Sequence, residues 1–115
     1  MAVKVMTPVK GEVNKVTGFA FEAADVASDG LQFTLPKMSD EYVVVLVQNT
    51  GGSEYDITVK APTNGSYAAA SGDETYKVAA GGFAIFRFES ARWANNDGTL
   101  LLVPGNAAVK AAVLY

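Results

Sequence analysis

The chain has no cysteine and no histidine. Without cysteine there is no disulfide, no thiolate nucleophile and no thiolate metal site, so the fold must stand on its core. Without histidine there is no Ser-His-Asp triad and no imidazole zinc site. Any catalyst built from what remains would depend on carboxylates, lysine or tyrosine. The sequence therefore predicts a protein that is not an enzyme, with no catalytic residue, cofactor or metal site. Charge is also scarce: 18% of residues are charged, and nine basic against twelve acidic residues leave a net −3. The basic residues are scattered singly from Lys4 to Lys110. Phosphate binding needs them clustered, so nucleic acid is not an expected partner. Long apolar runs are missing too, and nothing approaches the ~20 residues that a membrane-spanning helix requires. Residues 1–15 carry Lys4, Lys10, Glu12 and Lys15 with no apolar stretch between them, so neither a signal peptide nor a membrane partner is expected.

What is present is apolar residue in short, regular doses. Half of the 115 residues are hydrophobic, which argues for one folded domain. Surface scaling for a chain of 12.0 kDa has folding bury roughly 11,000 Å², about two-thirds of the extended surface. Period-two alternation then marks half-buried strands. In "LQFTL" (31–35), Leu31, Phe33 and Leu35 share a face. In "EYDITVK" (54–60), Tyr55, Ile57 and Val59 do so, and in "TYKV" (75–78) Tyr76 and Val78. In "VKAAVLY" (109–115), Val109, Ala111, Val113 and Tyr115 form the inward set.

Three segments are apolar on both faces: "YVVVLV" (42–47), "FAIFRF" (83–88) and "TLLLV" (99–103). Such strands belong in the middle of a sandwich or against another subunit. Turn residues separate the strands. Asn49-Thr50-Gly51-Gly52-Ser53 suits a hairpin between the strands on either side. Asp29-Gly30, Ser71-Gly72-Asp73, Gly81-Gly82, Asn95-Asn96-Asp97-Gly98 and Pro104-Gly105-Asn106 are further turns. "FEAADVASD" (21–29) has room for one helical turn. The predicted fold is all-β: a single antiparallel β-sandwich, jelly-roll or immunoglobulin-like, of eight or nine short strands. Residues 1–15 are less regular, with Pro8 disfavouring a central strand. They read as an extended N-terminal arm, followed by the sandwich domain over 16–115.

Candidate sites are few. Asp40, Glu41, Asp73 and Glu74 fall in turns or at strand ends, where a solvated turn explains them better than a facing carboxylate pair. "NNDG" (95–98) has oxygen donors but not the spacing of a calcium loop. Asn64-Gly65-Ser66 matches a glycosylation sequon. In "ESARWANNDG" (89–98), Trp93 beside Arg92 fits three roles: covering one end of the sandwich, anchoring an interface, or stacking on a sugar with Asn95, Asn96 and Asp97 as polar partners. Val3, Val5 and Met6 alternate briefly with Lys4 and supply apolar area for an interface.

Taken in order, "DGLQFTLPKMSDEYVVVLVQNTGGSEYDITVKAP", "YKVAAGGFAIFRFESARW" and "DGTLLLVPGNAAVKAAVLY" resemble small β-sandwich head decoration (capsid cement or stabilisation) proteins of tailed bacteriophages and prophages. The shared features are an apolar strand ending in Asn-Thr-Gly-Gly, a polar-apolar strand after it, a strand introduced by Ala-Gly-Gly, and a closing C-terminal strand. The likeness covers about residues 29–115. It implies a non-enzymatic virion protein, made in the host cytoplasm and bound outside the head shell, with the major capsid protein as partner. It also implies self-association, as a trimer, and brings no catalytic residue. On that reading Val3, Val5, Met6, Arg92 and Trp93 are the expected interface residues. Two other readings stay open: a glycan-binding β-sandwich module, and another phage structural subunit of the tail tube or head completion.

Overall fold

Eight strands in two sheets make up the computed structural model, which describes residues 3–64 and 72–115. They are β1 (Lys4–Val5), β2 (Leu31–Thr34), β3 (Val44–Asn49), β4 (Tyr55–Val59), β5 (Glu74–Val78), β6 (Phe83–Phe86), β7 (Thr99–Pro104) and β8 (Val109–Leu114). The larger sheet has the order β1-β2-β7-β4-β5 and the smaller β6-β3-β8. The sequon at Asn64-Gly65-Ser66 and the turn beginning at Ser71 fall partly outside the described residues.

Alternation explains the layering. Leu31, Leu102 and Val59 are register partners across β2, β7 and β4, and all three are buried. On the smaller sheet, Phe86, Val45 and Val113 form one row, and Ala84, Val47 and Ala111 the next. The two inner faces meet in one core that also takes in Met6, Phe33, Ile57, Phe88 and Trp93. Each fully buried side chain of this kind contributes about 1.5–3 kcal/mol relative to exposure. Position 30 requires glycine: Gly30 has φ 86°, and a Cβ there would sit 2.7 Å from the Leu102 carbonyl oxygen. It ends the 3-10 turn Ala27–Asp29, the one helical turn expected in that stretch, and starts β2.

The all-β sandwich of about eight strands is as the sequence predicts, with three differences in connection. First, β3 and β4 do not form a hairpin; they lie in different sheets. Both flanks of β3 are already hydrogen-bonded, to β6 and to β8, so the Asn49–Ser53 turn arches across the sandwich instead. Second, of the three segments that are apolar on both faces, β3 and β7 are central but β6 is a sheet edge. Third, β1 pairs parallel to β2, because the chain leaves β1 for the other sheet and cannot turn back as a hairpin.

The N-terminal segment is part of the sandwich. The Lys4 and Met6 amides donate to the Gly30 and Gln32 carbonyls at 3.1 and 2.7 Å. Three residues later the chain is on the smaller sheet. The Val9 amide donates to the Val113 carbonyl (2.8 Å), the Tyr115 amide to the Val9 carbonyl (3.0 Å), and the Gly11 amide to the Tyr115 carbonyl (2.7 Å). Residues 3–11 thus tie both sheets together, and within the expected arm the stretch that stands free of the sandwich begins after Gly11.

Candidate functional site

After Gly11 the chain leaves β8 and returns to it at Glu22, which exchanges two backbone hydrogen bonds with Ala111 (2.8 and 2.9 Å). All ten residues 11–20 between these clamps are exposed. Two of them are apolar at the protruding part: Val13 is 86% exposed and Val16 fully so. Asn14 takes a positive φ of 58°, which asparagine tolerates better than most residues, and Lys15 pairs with Glu12 at 3.4 Å across the bend. That ion pair is open to water and adds little stability.

The returning limb lies over the outer face of the smaller sheet. Phe19 packs edge-on against Phe21 (centroids 5.6 Å apart), and Phe21 lies 6.0 Å from Phe83 of β6. Between the limb and the sheet is an open groove of about 430 Å³, lined by Val9, Phe19, Tyr42, Val44, Leu46 and Leu114 among others. This accounts for the double-sided apolar pattern of β3. Val45 and Val47 face the core, while Val44 and Leu46 face the groove. The chain's own N-terminal segment covers part of that outer face, while Phe83 and Ile85 on β6 stay exposed.

Of the residues expected at an interface, Val5 is exposed and Val3 half-buried, at the β1 margin of the larger sheet. Met6 is 2% exposed and belongs to the core of this chain, because neighbours along an extended chain point to opposite sides. Trp93 is likewise core, at 5% exposure. It lies on a single helical turn, Ser90–Trp93 (α1), whose Ser90 amide donates to Asp40 Oδ2 at 3.0 Å. The half-buried Arg92 places its guanidinium 4.5 Å from the Trp93 ring centroid and bonds Glu74 Oε1 at 3.0 Å. Arg92 and Trp93 are therefore brought together, and the indole offers no open platform for a sugar. The proposed polar partners are engaged internally as well. Asn95 Oδ1 accepts from the Thr63 amide (2.8 Å), the Asn96 amide donates to Asn64 Oδ1 (2.6 Å), and Asp97 accepts from the Thr99 hydroxyl (2.7 Å).

The carboxylates behave as turn clamps. Asp73 accepts from Lys60 Nζ and from the Ala61 amide, both at 2.7 Å. The Lys60 bond and then the Ala61 amide hold its pKa below the usual carboxylate value. The Thr99 hydroxyl and amide do the same for Asp97. Burial, with the hydrogen bond to Glu74, pushes the Tyr76 hydroxyl up. Among the described residues no group of three or more Asp and Glu side chains is placed to hold a metal ion, and no helix is long and apolar enough to cross a membrane. The surface with the most unusual character is the exposed loop 11–20 with the apolar groove beside it. A run of ten residues holding three glycines or asparagines and two isolated valines signals a loop in the sequence; that it is clamped to β8 depends on pairing across the whole chain. No protein-family model matches this chain, no curated protein is significantly similar to it, and no solved structure aligns with it significantly.

Proposed function

We propose that the chain is a non-enzymatic virion structural protein, a decoration protein that binds the outer shell of a phage head and stabilises it. The observation that carries this reading is the loop 11–20: an exposed excursion presenting Val13 and Val16, clamped at both ends to the two-sheet body. Apolar tips on a rigid support favour binding, because little order is lost when they dock. Repetition over a symmetric shell lets a modest contact hold. The resemblance of residues 29–115 to head decoration proteins supplies the shell as the partner. Burial of Trp93 removes the observation that had favoured glycan binding.

The test is co-sedimentation of the purified protein with empty heads assembled from the major capsid protein of the same genome. Binding should saturate and raise the temperature at which the heads come apart. Replacing Val13 and Val16 together by serine should weaken binding about tenfold or more, each buried valine being worth about 1.5 kcal/mol. Melting of the free protein should not change. Failure of the unaltered protein to sediment with such heads rejects the decoration role.

A further inference from the structure

The four edges of the two sheets are not treated alike. The outer edge of β8 is occupied by Val9–Gly11 and Glu22. β1 is only two residues long. β5 carries charge, with Lys77 paired to Asp56 at 3.2 Å and Glu74 to Arg92 at 3.0 Å. Short strands, charge and covering segments are the usual means of blocking edge-to-edge pairing. β6 is short, and Phe21 lies 6.0 Å from Phe83 on its outer face, but its free side has neither charge within the strand nor a pairing segment. Phe83, Ala84, Ile85 and Phe86 contain no charge and no proline, and no described residue pairs with the side of β6 away from β3.

Register shows which groups point outward. The Asn49 amide donates to the Gly82 carbonyl at 2.9 Å. In an antiparallel ladder the bonded pairs alternate. Gly82, Ala84 and Phe86 therefore turn their backbone groups to β3, and Phe83, Ile85 and Arg87 turn theirs to the open edge. The side chains of Phe83 and Ile85 are also 65% and 63% exposed. An extended apolar strand is what this edge can take up.

We propose that this occupant is the β6 strand of a second copy, paired antiparallel about a two-fold axis. Such an interface is self-complementary by symmetry. With Ile85 facing Ile85 of the second copy, Arg87, whose Nε donates to the Glu41 carbonyl at 3.1 Å, faces Phe83 across the seam, so no like charges meet. The pairing joins the two smaller sheets into one of six strands. Strand pairing plus outer-face contact covers on the order of 600 Å² per copy, the low end for a specific dimer. The axis is perpendicular to the joined sheet, so both exposed loops stay on the same face, at its opposite margins. The inference does not depend on the shell-binding role. It also departs from the expected trimer, because a two-fold seam closes on itself.

Size-exclusion chromatography with light scattering, from about 5 to about 200 µM, spans the range where an interface of this size dissociates. The mass should rise toward twice the 12.0 kDa chain mass. Ile85→Lys should stay at the single-chain mass throughout, with an unchanged melting curve, since the side chain is mostly in solvent. A single-chain mass at every concentration, a trimer, or a dimer that survives Ile85→Lys would each overturn the proposal.

Discussion

Asn49 is the polar side chain that the described core takes in completely, with 0% exposure. Its amide donates to the Ser53 and Val78 carbonyls at 2.8 and 2.9 Å, and its oxygen accepts from the Gly51 amide at 2.9 Å. One side chain thus fixes the arch out of β3 and ties it to the end of β5 in the opposite sheet. Asn49→Ala strands the buried Val78 carbonyl, at a cost of about 1–3 kcal/mol, and takes the partner from the part-buried Ser53 carbonyl and Gly51 amide. A loss of about 3 kcal/mol or more is expected in urea unfolding. Asp73 gives the residue-scale response to pH. Its folded pKa is depressed, so its contribution is present above the unfolded value of about 3.9 and fades as pH falls through the folded value. Asp73→Asn should therefore lower stability slightly at pH 6 and make no difference well below pH 3. Paired unfolding curves at the two pH values check this. The effect is small because the Lys60 pair is open to solvent.

Elements were legible where one face is polar. β2 and β4 alternate cleanly, and their most buried residues are inward ones; in β8 the inward Val109, Ala111 and Val113 are buried, but so is the outward Ala112. β5 does so less well, since Tyr76 at the sheet margin stays partly in solvent with its ring 5.1 Å from Phe86. Alternation alone could not place β6, because a strand apolar on both faces reads the same in the centre of a sheet as at its edge. Nor could turn chemistry separate a hairpin from an arch at Asn49–Ser53, since both bend the chain with the same residues. Val3, Val5 and Met6 are too few to establish a period, so the sequence alone reads residues 1–15 as an extended arm. Its anchoring to β2 and β8 depends on partners that lie far along the chain. Met6 tests that anchoring. Met6→Ala should cost about 2–5 kcal/mol, as a buried large-to-small change does. The melting temperature should fall by roughly 10 °C or more. A shift under about 2 °C in calorimetry would mean that this segment is not part of the cooperative unit.

At the scale of the whole molecule, the sandwich is closed by its most distant residues. Val9 pairs with Val113 and Tyr115, and Glu22 with Ala111, while β3 in the smaller sheet is flanked by strands from much later in the chain. Long loops must close before such contacts form, so folding in milliseconds to seconds is expected. The order of events follows from the same cost. β4 and β5 are adjacent in sequence as well as in the sheet, and β7 joins β4 over a moderate separation. β1 and the Val9–Gly11 segment have nothing to pair with until β2 and β8 are in place. They should therefore dock after the transition state. Met6→Ala should accordingly leave the folding rate nearly unchanged and speed unfolding by nearly its full equilibrium cost. Stopped-flow folding and unfolding across a urea series resolves the two limbs. A folding limb slowed in proportion to the lost stability would place the N-terminal clip in the nucleus, and the terminal segment would then organise the sandwich instead of sealing it.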